Sequence, residues 1–184
     1  KNSFFSILLF PLSLVLLLFI FLKKKFTKIL KFNIPIICVG NIYVGGTGKT
    51  PASILLANEL LKSGRKPVIL RKYYKNHTDE YNFIKENFKN LIVSQNRVAG
   101  IKKAENIGYD TVILDDGFQD YKIKKNAAII CFNGNQLIGN GYILPAGPLR
   151  ESINSLKNAN IVLINGKKNN KFEEIILNIN RNLD

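Results

Sequence analysis

Residues Val39 to Pro51 read Val-Gly-Asn-Ile-Tyr-Val-Gly-Gly-Thr-Gly-Lys-Thr-Pro and continue an apolar run that begins at Ile34. A loop without side-chain bulk lets successive backbone N–H groups turn inward around phosphate oxygens at the start of a helix. Gly45, Gly46, Thr47 and Gly48 would form that cradle. Lys49 would bring a point charge to the β/γ-phosphates, and the Thr50 hydroxyl can ligate Mg²⁺. ATP with Mg²⁺ is therefore the expected ligand. The strict spacing asks for glycine at position 43, where this chain has Tyr43. An ordinary glycine-rich turn is the competing reading, and the strand-like run before the loop argues against it.

The elements that must hold these groups alternate along the chain. Pro51 suits the first turn of a helix, with Ile54, Leu55, Ala57, Leu60 and Leu61 as its apolar face and Gly64 as its stop. Short strands are predicted at Pro67–Leu70, Leu91–Val93, Ala127–Phe132 and Ile161–Ile164. Helices are predicted from Arg97 to Asn106 and near Phe172 to Ile179, and Asn76–Glu80 reads as a loop or helix start. Thr111–Leu114 runs straight into Asp115-Asp116. The alternation predicts an α/β fold of P-loop NTPase type. Its mostly parallel sheet has helices on both faces, and its ligand crevice lies at the carboxyl ends of the strands. Two carboxylates at such a strand end suit metal support beside a phosphate loop. The alternative is a solvated Asp-Asp-Gly turn.

From Phe4 to Leu22 the chain is apolar except at Ser6, Pro11 and Ser13, and it ends on Lys23-Lys24-Lys25. A helix of about 19 residues approaches the ~30 Å hydrocarbon thickness of a bilayer. A cleaved signal peptide would have a shorter apolar region followed by small residues, and a buried core helix would rarely be apolar on every face. A membrane helix is the expectation, with Pro11 leaving room for a kinked or shallow insertion. Lys23, Lys24, Lys25, Lys28 and Lys31 would lie with everything downstream on the cytoplasmic side. Residues 1–32 are then anchor and basic collar, and residues 33–184 a P-loop core domain.

The chain has 184 residues and a formal charge of +14, enough length for one domain with appendages. The basic balance invites nucleic acid, but neither an RNA-binding aromatic signature nor a zinc framework accompanies it, so no nucleic-acid partner is expected. Cys38 and Cys131 sit in apolar runs far apart and read as buried thiols of a reducing compartment. The chain opens on Lys1 rather than methionine, which suggests a fragment at its front edge.

Four blocks resemble one family. They are the loop Val39–Pro51, the run Thr78-Asp79-Glu80, the strand end Asp115-Asp116-Gly117-Phe118-Gln119, and Gly139-Asn140-Gly141 leading to Leu144-Pro145-Ala146-Gly147-Pro148-Leu149-Arg150-Glu151. In this order, behind an apolar helix and a basic segment, they are similar to the tetraacyldisaccharide 4'-kinase family of lipid A biosynthesis. The resemblance implies phosphoryl transfer from ATP to the 4'-hydroxyl of a tetraacylated disaccharide 1-phosphate, an anionic glycolipid of the bacterial inner membrane. It places the catalytic base on Asp79 and metal or carboxylate support on Glu80. Asp115 and Asp116 would serve Mg²⁺, while Arg150 and Arg97 would steady phosphate charge. The bland alternatives are a solvated Arg97 and a helix-capping Asp79.

Departures accompany the match. The family's Arg-Gly-Tyr-Gly is Arg71-Lys72-Tyr73-Tyr74, Thr78 replaces a usual glycine, and Asp120 replaces a usual histidine, setting an anion where a cation is expected near the phosphates. Family members continue into a second α/β lobe carrying a histidine partner for the base, and this sequence stops at Asp184. His77, the one histidine, does not match that partner and is expected to be exposed. The expectation is an amino-terminal portion that binds nucleotide weakly and is poorly active alone. Two rivals remain: a membrane-associated ATPase switch, whose signature lysine would stand at Val44, and a non-catalytic nucleotide-binding module.

Overall fold

Strand β4, Thr111–Asp115, is buried at every position, and it is the strand that carries the first of the paired carboxylates inward. In the computed structural model, which describes residues 4–183, it runs between β1 (Ile36–Gly40) and β2 (Pro67–Lys72). Residues 1–3, the front of the expected anchor, and Asp184 lie outside the described residues. Both ladders are parallel, and their register sets Val39 and Arg71 on either side of Asp115. The third parallel ladder joins β2 to β3, Leu91–Ser94. With β5 (Ala127–Asn133) and β6 (Ile161–Asn165) the strand order is β3-β2-β4-β1-β5-β6. The expected parallel α/β sheet is borne out.

Helix α2 spans Lys49–Lys62, α3 Thr78–Asn87, α4 Arg97–Ile107 and α5 Asn170–Ile179. A 3₁₀ turn at Ile153–Asn158 was not expected. The apolar face foreseen for α2 needs correcting. Ser53, Ile54 and Ala57 are buried, whereas Leu55 and Leu61 are exposed. Helix α4 opens on Asn96, whose side chain accepts from the Val98 N–H, and closes on Gly108 in the left-handed region. It seats against β2 at Gly100, where a Cβ would lie 2.5 Å from Leu70 Cδ1. Both cysteines are buried thiols outside any disulfide, and burial pushes Cys38 up to about 12.

The chain divides into two compact units. One comprises residues 29–40 and 48–129, and the other residues 1–28, 41–47 and 130–184. The second unit contains α1, Phe4–Phe26, which has Pro11 inside it. At 23 residues it is long and apolar enough to cross a membrane, and almost all of it is exposed. Its two serines are the exceptions. Ser13 Oγ donates to the Ile143 carbonyl at 2.8 Å and accepts from the Ala146 N–H at 3.1 Å. Ser6 Oγ accepts from Asn140 Nδ2 at 3.2 Å, Phe10 meets Tyr142 edge-on, and Lys24 pairs with Glu151 at 2.5 Å. The breaks in the apolar run are thus the seats by which α1 lies along residues 140–151.

Candidate active site

The carboxyl ends of β1, β2 and β4 and the start of α2 converge on Asp115, which has no exposed surface. Gly48 takes a left-handed conformation that only glycine adopts without strain, and α2 starts at the next residue. That start aims Thr50 and Ser53, three residues apart on one helical face, at the strand end. Thr50 Oγ1 donates to Asp115 Oδ2 at 3.1 Å, and Ser53 Oγ donates to Oδ1 at 3.2 Å. The Arg71 guanidinium, delivered by the β2 register, bonds to the same carboxylate. Lys49 Nζ stands 3.8 Å from Asp116 Oδ1.

Asp116 itself adopts a left-handed backbone, uncommon outside glycine. Arg97 Nη2 donates to its carbonyl at 2.6 Å, and Arg97 Nη1 lies 3.6 Å from Asp120 Oδ2. Arg97 is therefore buried and engaged, not a solvated helix residue. Asp120 is matched by a cation instead of standing alone among the phosphate-site charges.

Asp79 and Glu80 occupy the first turn of α3, where the positive helix end favours carboxylates. His77 holds the cap position, so Asp79 is not the cap. Asp79 is exposed. Glu80 pairs with Arg71 and lies 3.5 Å from His77 Nδ1. His77 is half-buried, its ring against Tyr74. The glycine-free segment after β2 is pinned by Tyr81, whose hydroxyl accepts from the Tyr74 N–H at 2.5 Å.

The leading half of the loop belongs to the unit that holds α1. Tyr43, at the position where glycine is usual, is fully buried with its ring tilted against Phe132; its hydroxyl accepts from the Asn133 N–H at 2.5 Å. Burial raises its pKa, against the pull of that N–H. Its backbone is not among the positive-φ residues, which is why a side chain is tolerated there. Asn41 Nδ2 donates to Thr47 Oγ1 at 3.3 Å and shapes the loop from within. Gly45 has φ near 140°, and around Gly46 there is open space. The Val44 N–H donates to the Pro148 carbonyl at 2.9 Å, and the Arg150 N–H to the Ile42 carbonyl at 2.7 Å. The Leu-Pro-Ala-Gly-Pro-Leu-Arg run therefore backs the phosphate loop through its main chain, with Arg150 half-buried at its end.

Among the described residues, no group of three or more His, Cys, Asp or Glu could hold a metal by itself. A hydroxyl beside a buried carboxylate instead suits Mg²⁺, which takes one or two carboxylates and completes its shell with water and phosphate oxygens. Thr50 and Asp115 fit that ion. Reading the sequence missed Ser53 and the place of Arg71. Ser53 had a signal, a small hydroxyl one helical turn after Thr50. Arg71 had none, because its neighbour is fixed by strand register.

Comparison with known proteins agrees with this geometry. The family model described as LpxK, tetraacyldisaccharide-1-P 4'-kinase, matches residues 5–182. The tetraacyldisaccharide 4'-kinase of Pelagibacter ubique is 42% identical over 189 residues, covering 100% of this chain and 59% of that protein. The protein of the same name from Aliarcobacter butzleri is 38% identical, covering 88% of this chain and 57% of its own. The structure of LpxK from Aquifex aeolicus in complex with ATP superposes with a TM-score of 0.74 at 29% identity, over 86% of this chain and 58% of that one. The chain spans about three-fifths of the length of the curated relatives it matches. Matched along nearly its whole length by the family model, and at the loop, the strand end and the backing segment alike, the chain belongs to the tetraacyldisaccharide 4'-kinase family.

Proposed function

We propose that this chain carries the nucleotide-binding core of an ATP-dependent kinase that phosphorylates the 4'-hydroxyl of tetraacyldisaccharide 1-phosphate, an anionic glycolipid. The observation that carries the reading is Thr50 hydrogen-bonded to the buried Asp115 at the opening of α2, directly after the glycine-rich loop. Gly45, Gly46, Thr47 and Gly48 present backbone N–H groups to the phosphates. Lys49 exchanges its Asp116 partner for β/γ-phosphate oxygens. Thr50, Asp115 and Asp116 would hold Mg²⁺, which when bound neutralises charge on those oxygens. Asp79, on the exposed first turn of α3, orients the sugar hydroxyl and accepts its proton on a carboxylate oxygen. Glu80 supports that carboxylate or the ion, and Arg150 and Arg97 steady the charge on the transferred group.

The glycolipid lodges in a membrane, and the exposed face of α1 with its lysine collar would bring the site to that surface. We assign residues 1–32 to this anchor and 33–184 to the core, on the cytoplasmic face of the inner membrane. Because α1 is seated on residues 140–151 from Ser6 to Lys24, an insertion shared by helix and loop fits better than a span standing clear of the protein.

Acceptor-dependent ADP release by the full-length protein tests the reading. Lys49→Ala is expected to abolish it, a loss on the order of 10³-fold or more, since the point charge acts on the transferred phosphoryl group. ATP hydrolysis indifferent to the lipid acceptor, or transfer unchanged in Lys49→Ala, would overturn it.

A further inference from the structure

The oxygens suited to a divalent ion at this site are already taken. Arg71 Nη1 bonds to Asp115 Oδ2 and, at 3.1 Å, to Thr50 Oγ1. Its Nη2 pairs with Glu80 Oε2. Thr50 spends its proton on Asp115, so the lone pair that a cation would need is the one facing Arg71. One guanidinium thus covers the hydroxyl after the phosphate loop, the buried carboxylate at the end of β4 and the acid on the first turn of α3.

We propose that Arg71 is a built-in counter-ion that holds the cation position, and that a divalent ion enters by displacing it. The inference rests on the kinase reading for the identity of the ion. Three features carry it.

First, Asp115 is wholly buried, and a buried carboxylate left without a partner is strongly unfavourable, so a site waiting for metal needs a resident cation. Register supplies one: Arg71 is the Cα partner of Asp115 in the parallel ladder and is itself 5% exposed.

Second, the pairing is incomplete in the way a temporary one would be. Arg71 uses separate nitrogens on separate acceptors, not the parallel fork of a committed arginine–carboxylate pair, and its Nε is buried without an acceptor.

Third, the protein alone offers no cluster of three acidic or imidazole ligands among the described residues, so a bare ion gains little by entering before the phosphates. The exchange would make metal loading depend on nucleotide, and would keep the buried Asp115 paired until then.

Mn²⁺ binding without nucleotide, followed in the full-length protein by loss of the free-ion EPR signal, decides the matter. Arg71→Met is expected to bind Mn²⁺ roughly tenfold or more tightly than the parent. Added methylguanidinium should compete for the vacated place. The variant should melt lower than the parent without metal and regain its melting temperature with Mn²⁺. Should Arg71→Met fail to fold, Arg71→Lys keeps a charge but loses the fork, and is expected to bind Mn²⁺ more tightly than the parent by a smaller margin. Equal or weaker Mn²⁺ binding in whichever variant folds would overturn the proposal, marking Arg71 as a fixed strut. Binding of a fluorescent ATP analogue to the parent in EDTA is the separate arm: its absence would remove the kinase reading while the Mn²⁺ comparison still stands or falls alone.

Discussion

Asp115 shows how one side chain organises a charged site. With no exposure it must be paired within the protein, and Thr50, Ser53 and Arg71 share its two oxygens. Asp79 is the opposite case: exposed, on a helix start, and free of the crowding that ties Asp115 down. A base must accept a proton from an incoming hydroxyl, so an accessible carboxylate stabilised by a helix N-terminus suits the task better than a buried, bonded one. Asp79→Asn keeps the shape and removes the proposed base. In the full-length protein its kcat is expected to fall by roughly 10²- to 10⁴-fold while the KM for ATP changes little. A loss confined to ATP affinity would reassign Asp79 to nucleotide binding.

Elements couple sites that sequence separation hides. Ser13 in α1 ties together the Ile143 carbonyl and the Ala146 N–H, and the same segment then bonds to the phosphate loop through Pro148 and Arg150. Ser13→Ala would leave the buried Ala146 N–H without its acceptor and the Ile143 carbonyl with the Gly147 N–H alone, at a cost of about 1–3 kcal/mol. The loosened segment should then raise the KM for ATP more than it lowers kcat. Titration of ATP in the transfer assay measures that split, and an unchanged KM would confine Ser13 to holding the helix. Periodicity was enough to place the strands and most of the helices, because each β strand is a short apolar run, but it left α3 as no more than a loop or helix start and did not read the Asn96 cap before α4. It misjudged Leu55 and Leu61 because apolar spacing does not say which side of a helix meets the sheet. The site was legible where chemistry is local, at Gly48-Lys49-Thr50 and Asp115-Asp116. It was illegible where register or distant contact decides, as with Arg71 beside Asp115, Arg97 on the Asp116 carbonyl, and the serines of α1 on residues 140–146.

At the scale of the whole molecule the +14 charge and the exposed apolar helix belong together. An apolar face alone gives binding that ignores lipid charge, whereas each lysine near an anionic surface adds about 1 kcal/mol that salt screens away. Lys24 is held by Glu151, which leaves Lys23, Lys25, Lys28 and Lys31 as the residues to vary without disturbing that contact. Replacing these four by glutamine is expected to weaken binding to anionic vesicles by roughly two to three orders of magnitude at low salt. Binding to neutral vesicles, carried by Phe4, Phe5, Leu8, Leu12, Val15 and Phe19, should change little. Flotation with vesicles of the two compositions, across a salt series, separates the terms. Parent protein that binds both alike at low salt would show that the collar does not touch lipid, and the membrane contact would then rest on the helix and its seat alone.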